Sequence, residues 1–388
     1  MTISPFPLIE VRGAPFERGR QHGQLARERV HRSVGHYLAQ LGEMGLSSAL
    51  IRELARRYLP LAETFDAQYV EEMRGIAAGG DVEFEHIVLI NARTEILQLA
   101  RMESVRTMEP RPEDPDGCTG VSVLPQATAA GSLLHALNWD WKVECAETAI
   151  ILRVRREDGP DVLMLTEAGS LARAGMNSSG ICITANYLES SRDHQHLGVP
   201  HALIRRKLLE SSDLALAIRT LCTTAKSSSN NLLLSHAAGF SIDFECAPDE
   251  VFPLYPVDGL LVHANHWISP VALGKLQDTG VLLSPDSCYR DWRVREALRP
   301  DVGRLTAAHL RDALSDSFGS PWSVCRPPRP SLFGNLSATV ARILMQPARG
   351  LMEVTPMPAV NQELTRYTLE MESDAVATHP ASFATGDR

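Results

Sequence analysis

The sequence predicts a layered α+β protein with a mainly antiparallel sheet. Three observations predict it. The first ~105 residues carry a helical spacing of apolar positions after one short strand. Residues 106–117, "RTMEPRPEDPDG", then break every periodicity with three prolines among acidic residues. Beyond the break come successive short β-rich runs, into which helical patterns are set in blocks.

Taken in order, "LIEVRG" reads as the first strand. "PFERGRQHGQLARERVHRSVGHYLAQL" follows as a helix, with Pro15 suited to its first turn because that N–H has no helical partner. "SALIRELARRYLPLAETF" and "AQYVEEMRGIAAGG" read as further helices, the second stopped by Gly79-Gly80, and "EFEHIVLINARTEILQL" as another. After the break, "TGVSVLP", "SLLHALNWDW", "AIILRVRRE", "VLMLTEAG" and "GICITANYL" read as strands, with "EDGPD" as a turn. Helices return at "PHALIRRKLLESS" and "DLALAIRTLCTTA". Strands resume at "NNLLLSHAAGFSIDFE", "GLLVHANHW", "LSATVARILMQ" and "GLMEVTPM". No internal repeat divides the chain.

Composition excludes several classes. A formal net charge of −9 is the wrong sign for displacing counterions from nucleic acid. No apolar run reaches the roughly 18–20 residues that cross a bilayer. "MTISPFPLIEVRG" lacks the basic and apolar regions of a secretory signal. Seven cysteines, an odd number scattered without a CxxC pair, argue for reduced thiols and a cytoplasmic protein with no structural zinc.

Cys118 stands out because it sits at the seam between the polar break and a strand. If 119–125 and 132–140 pair around "QATAAG", opposed positions sum to about 257. Asp140 then falls beside Cys118. A cysteine nucleophile needs a base to form thiolate and donors for the oxyanion that follows. The nearest histidine, His135, points to the opposite strand face from Asp140. Cleavage before Cys118 would supply another base, since a free α-amine with a pKa of about 7.7–8.0 is poised near neutrality.

These segments, in this order, resemble the acyl-coenzyme A:6-aminopenicillanic acid acyltransferase family (peptidase family C45), autoproteolytic N-terminal-nucleophile hydrolases. "GAPFERGRQHG", "EMRGIAAG", "LINARTEI", "DGCTG", "NWDW", "TEAGSLARAGMNSSGICITANYL", "GVPHALIRRKLLES", "VHANHW" and "WSVCRP" carry the resemblance across nearly the whole chain. It implies a single domain with a four-layer αββα sandwich, self-cleaved at Gly117-Cys118 into 1–117 and 118–388, which stay associated as a heterodimer. It implies Cys118 as nucleophile, Asp140 positioning its amine, Asn265 stabilising the oxyanion and Arg326 favouring thiolate. The implied reaction is hydrolysis or acyl transfer on a small N-acyl amide through a Cys118 thioester. No metal or resident cofactor is implied, and acyl-CoA would be the co-substrate for transfer. One departure stands out: bile-salt hydrolases and penicillin V acylases place a basic residue where this chain has Leu137.

Two other readings compete. One is a single-chain thiol hydrolase using a histidine base such as His263; the other is a catalytically silent binding protein of the same fold. His263, Asn265 and His266 invite a metal reading, but a strand would put 263 and 265 on one face and 266 on the other. His194, His196 and His201 read as a solvent-facing loop before a helix, and Ser227–Ser229 as turn residues.

Overall fold

The computed structural model describes residues 3–105, 117–330 and 336–373. The break at 106–116 therefore lies outside the described residues. Strand β1 (Leu8–Arg12) precedes helices α1 (Pro15–Leu25), α2 (Arg27–Glu43), α3 (Ser48–Arg57), α4 (Leu59–Gly80), α5 (Phe84–Asn91) and α6 (Arg93–Val105). Strands β2 (Gly117–Val123), β3 (Leu134–Lys142), β4 (Ala149–Arg155), β5 (Val162–Glu167), β6 (Ala174–Asn177) and β7 (Ile181–Tyr187) come next. Helices α7 (His201–Leu209) and α8 (Leu214–Thr223) lead to β8 (Asn230–His236), β9 (Phe240–Cys246), β10 (Val251–Leu254) and β11 (Leu260–His263). The last part holds α9 (Pro270–Leu273), α10 (Ser287–Leu298), α11 (Ala307–Ala313), β12 (Arg329–Pro330), β13 (Leu336–Gln346), β14 (Leu351–Pro356) and β15 (Thr365–Thr368).

The strands form two sheets. An eight-stranded sheet runs β1-β4-β5-β6-β7-β8-β9-β10, and a seven-stranded one runs β11-β2-β3-β13-β14-β15 with β12 on β13. Among the described strands, only β1 and β4 pair in parallel. The sheets face one another across a core holding Leu137, Trp139, Ile343 and Met345 from one sheet and Ile151, Leu163, Leu165 and Cys182 from the other. Helices α2–α8 bury their apolar faces on the outer side of the eight-stranded sheet, through residues such as Tyr37, Ile76, Ile90 and Leu203. Helices α10 and α11 do the same on the other sheet through Val294, Leu298 and Leu310. The result is the expected four-layer αββα sandwich.

Helix boundaries depart from the sequence reading. The first long helix divides at Ala26 (φ −111, ψ 20), and the one over 83–99 divides at Ala92. Around Ala92, apolar residues are buried on both sides of the break, Ile87 and Ile90 before it and Ile96 and Leu97 after it, so periodicity reports burial rather than backbone continuity. The expected Gly79-Gly80 stop is also corrected. Helix α4 runs through both glycines and ends on Asp81, whose left-handed backbone (φ 56) a short polar side chain tolerates. Gly79 serves packing instead. A Cβ there would lie 2.1 Å from Arg20 O, and one on Gly75 2.1 Å from Phe16 O. From the other helix, a Cβ on Gly19 would meet Glu72 O at 2.0 Å, and one on Gly23 would meet Ile76 O at 2.3 Å. Helices α1 and α4 thus touch backbone to backbone.

Candidate active site

The β2–β3 hairpin pairs Gly117 with Asp140 and Cys118 with Trp139, so opposed positions do sum to 257. Cys118 is fully buried and faces the inter-sheet core beside Leu137 and Trp139. Gly117 and Asp140 lie on the other face of the same sheet, by strand alternation. The hairpin therefore sets the acid one residue from the cysteine, with its side chain under the Gly117-Cys118 bond. A Cβ on Gly117 would stand 2.9 Å from Asp140 Oδ2 and 2.8 Å from Arg326 Nη1, so only glycine lets that pair close on the bond.

Asp140 and Arg326 meet as an ion pair, Nε to Oδ2 at 3.3 Å. Thr339, on β13, donates its hydroxyl to Asp140 Oδ1 at 2.6 Å and accepts the Arg326 N–H at 2.8 Å, fixing both partners. Arg326 also binds Asp286, which accepts from Arg290 Nε at 2.8 Å. Two carboxylates and two guanidiniums thus form one buried, charge-balanced network. Burial pushes the Asp140 carboxyl up, against the pull of Arg326 and Arg290. Burial also raises Asp286, but there the charges of Arg290 and Arg326 prevail and hold it at about 2.

Asn265 lies just past β11 and reaches the backbone of Cys118. Its Oδ1 accepts the Cys118 N–H at 2.8 Å and Arg290 Nη2 at 2.9 Å, while its Nδ2 donates to Tyr187 O at 2.9 Å. A guanidinium can only donate and a carbonyl only accept, so these partners fix which way the amide faces. Arg290 donates further to Cys118 O and Thr119 Oγ1, at 2.8 and 2.9 Å. The thiol itself receives Arg173 Nη2 at 3.2 Å.

Thus Gly117, Cys118, Asp140, Asn265 and Arg326 come together, joined by Arg173, Asp286, Arg290 and Thr339, which sequence reasoning did not single out. Arg173 lies inside the quoted "TEAGSLARAGMNSSG" block, between β5 and β6. Nothing marked it among its neighbours. Arg290 sits in α10, an arginine-rich helix absent from the sequence reading.

The histidines are held elsewhere. His263 faces Glu245 Oε1 with Nε2 at 2.9 Å and Ala264 O with Nδ1 at 3.0 Å, so both ring nitrogens face acceptors. Burial lowers its pKa, but Asp243 and Glu245 outweigh that and raise it to about 9. An imidazolium with both protons committed is not a base for Cys118. Strand β11 ends at His263, so the expected alternation does not continue to His266, which takes Ser287 Oγ at 2.8 Å. Among the described residues, no group of three His, Cys, Asp or Glu side chains is placed to hold a metal. The loop reading of the other cluster is corrected in part: His201 is buried at the start of α7, and His194 is half-buried on Gln98 at 2.7 Å. Among the described residues, no helix is long and apolar enough to cross a membrane.

The chain is 26% identical over 327 residues to the acyl-coenzyme A:6-aminopenicillanic-acid-acyltransferase 40 kDa form of Emericella nidulans, covering 82% of this chain and 84% of that protein. Among solved structures it is similar to a mutant conjugated bile acid hydrolase from Clostridium perfringens, at 14% identity and a TM-score of 0.47 over 67% of this chain and 94% of the other. Penicillin V acylase from Agrobacterium tumefaciens matches at 15% identity and a TM-score of 0.39, over 65% of this chain and 86% of the other. The family model for acyl-coenzyme A:6-aminopenicillanic acid acyl-transferase matches residues 128–355, more than half of the chain, a span that holds Asp140, Asn265 and Arg326. The chain belongs to that family and is an enzyme of the acyltransferase type.

Proposed function

We propose that the protein is an autoproteolytic N-terminal-cysteine amidase and acyltransferase, acting on a small N-acyl amide through a thioester on Cys118. The observation that carries this reading is the convergence at one peptide bond. Gly117 rests on the Asp140–Arg326 pair, the Cys118 N–H is held by Asn265, and the thiol has a guanidinium against it.

In the precursor, Cys118 Sγ attacks the Gly117 carbonyl carbon. The C–N bond breaks, the Cys118 nitrogen takes the proton lost by the thiol, and a thioester remains. Water cleaves that thioester and releases the Gly117 carboxylate, giving associated chains 1–117 and 118–388. The freed α-amine, with an ordinary pKa of about 7.7–8.0, then acts as base. Asn265 Oδ1, which accepts the amide N–H of the intact chain, can keep accepting from the amine. Asp140 lies one residue away as its electrostatic partner. In turnover the amine takes the thiol proton, the thiolate attacks the substrate amide, and the same proton leaves with the departing amine. Asn265 spends one Nδ2 hydrogen on Tyr187 O, and its second is the donor offered to the oxyanion. Losing one such donor typically costs on the order of 100–1000-fold in rate. Water completes hydrolysis; an amine attacking in its place completes transfer, with acyl-CoA as one acyl source.

Intact mass of the purified wild type should show 1–117 and 118–388, and Cys118→Ala should show one uncleaved chain. A single intact mass for active wild type overturns the reading. Turnover on a panel of N-acyl amino acids, β-lactams and β-alanyl amines then identifies the substrate class.

A further inference from the structure

We infer that Arg173 is the counter-cation of the Cys118 thiolate: a catalytic residue that touches the reacting sulfur. The inference rests on the reading of Cys118 as nucleophile. Its starting point is a charge without a match. Arg173 is 4% exposed, and among the described residues no carboxylate pairs with it. Arg18, Arg93, Arg206, Arg290 and Arg326, all buried, each face one: Glu72, Glu167, Glu72, Asp286 and Asp140. A buried cation without an anion is costly unless neutral acceptors meet it, as Arg311 O and Ser315 Oγ do for the equally buried Arg342, so such sites pair the charge, satisfy its donors or present it to an anion that forms there.

What Arg173 does contact is specific. Its Nη2 lies 3.2 Å from Cys118 Sγ, and its guanidinium carbon lies 4.3 Å over the Trp139 ring. Trp139 is the residue paired with Cys118 across the hairpin, so one strand pair presents both the sulfur and the surface on which the cation stacks. A ring face attracts a guanidinium without neutralising it. Arg173 Nε is buried and has no hydrogen-bond partner among the described residues. The inward face of β3 can supply no charge of its own here, because Leu137 and Trp139 occupy it.

The other charged groups around the nucleophile are spoken for. On the opposite sheet face, Asp140 and Asp286 are paired with Arg326 and Arg290. A water-sized cavity of about 20 Å³ beside Arg173 is also lined by Arg93, Glu95, Glu167, His201 and Arg205. There Glu167 binds Arg93 at 2.8 Å, and Glu95 accepts the His201 backbone N–H at 2.7 Å. The anion left for Arg173 is the sulfur. A guanidinium does not give up its proton in a protein, so it cannot serve as the base. The thiol proton goes to the Cys118 α-amine, and Arg173 stays charged while the thiolate forms and is consumed.

The test titrates the Cys118 thiolate in the full chain by ultraviolet absorbance, as the difference between each protein and its Cys118→Ser counterpart. Burial holds the thiols of Cys145, Cys182, Cys222, Cys246, Cys288 and Cys325 above their ordinary value, so a signal at lower pH belongs to Cys118. Arg173→Gln and Arg173→Met should each raise the midpoint by about one to three pH units, the usual effect of removing an adjacent opposite charge. Arg173→Lys, which keeps the charge, should largely restore it. Methionine suits the apolar core, so the second neutral variant decides the matter if the first does not fold. A midpoint unmoved in a folded neutral variant overturns the inference, and a role in packing alone predicts that result. Cleavage is scored on the same samples by intact mass. Cleaved wild type with an unmoved midpoint sinks only Arg173, whereas uncleaved active wild type with a midpoint that still rises in the variants sinks only the proposed function.

Discussion

Gly117 and Arg290 show how little tolerance the site has at the level of single residues. In Gly117→Ala, the new methyl would stand inside contact distance of both Asp140 Oδ2 and Arg326 Nη1, the two ends of a buried ion pair. We expect slower or absent cleavage at Gly117-Cys118 in a chain that still folds, followed by intact mass over time. Cleavage at the wild-type rate would show that the pair does not need to close on this bond. Arg290→Met removes four hydrogen bonds, to Asp286, Cys118 O, Thr119 and Asn265. Breaking a buried ion pair from one side typically costs about 3–5 kcal/mol, and urea unfolding should register a loss of that order. The Asn265 amide would also lose the donor that helps fix its direction. At this scale the sequence was informative for Cys118 and Asp140, because one hairpin relates them. It was silent on Arg173, since nothing in a strand's own pattern tells which residue of the facing sheet will meet its side chains.

At the level of elements, the α1–α4 contact is the most exacting packing in the helical layer. Its four glycines appear in the sequence as G-x-x-x-G spacings on each helix, Gly19 with Gly23 and Gly75 with Gly79. A methyl at any of them would meet backbone at 2.0 to 2.3 Å, and backbone cannot swing aside as a side-chain end can. We expect Gly75→Ala to cost on the order of 1–3 kcal/mol through forced separation of the helices, seen as a lower urea midpoint with an unchanged slope. A neutral substitution there would mean that the helices slide apart freely. Reading Gly79-Gly80 as a helix stop failed for a physical reason. Glycine at a helix end and glycine at a close crossing look alike in one dimension, and only the neighbouring helix separates them.

Over the whole molecule, two sheets and two helical layers hold several ionised groups out of water, so stability should depend on pH in a way that names its source. His263 is raised to about 9 in the folded chain, against an ordinary value near 6.5. A group whose folded pKa is raised contributes stability that is fully present below the unfolded value and is lost as pH rises through the folded one. The thermal midpoint should therefore fall between about pH 6.5 and 9, and fall less steeply in His263→Gln. Equal slopes in the two proteins would remove His263 as the cause. This imidazolium sits two residues from Asn265, so the same titration should loosen the segment that holds the Cys118 N–H.

By itself the sequence determined the order of most helices and strands, the hairpin register that sets Asp140 against the Gly117-Cys118 seam, and the family to which the chain belongs. These are local or ordered properties: apolar period, turn chemistry, and the constant sum of an antiparallel pair. The tertiary structure alone decided which arginine meets the thiol, that Asp286 and Arg290 complete the Asp140–Arg326 network, that the Asn265 oxygen faces the Cys118 N–H, and that His263 is a cation spent on Glu245. Most of those contacts join residues distant in the chain, 40 positions apart for Asp286 and Arg326, 55 for Cys118 and Arg173 and 147 for Cys118 and Asn265, or depend on which partners surround an amide and a ring, and neither is written in any periodicity of the chain.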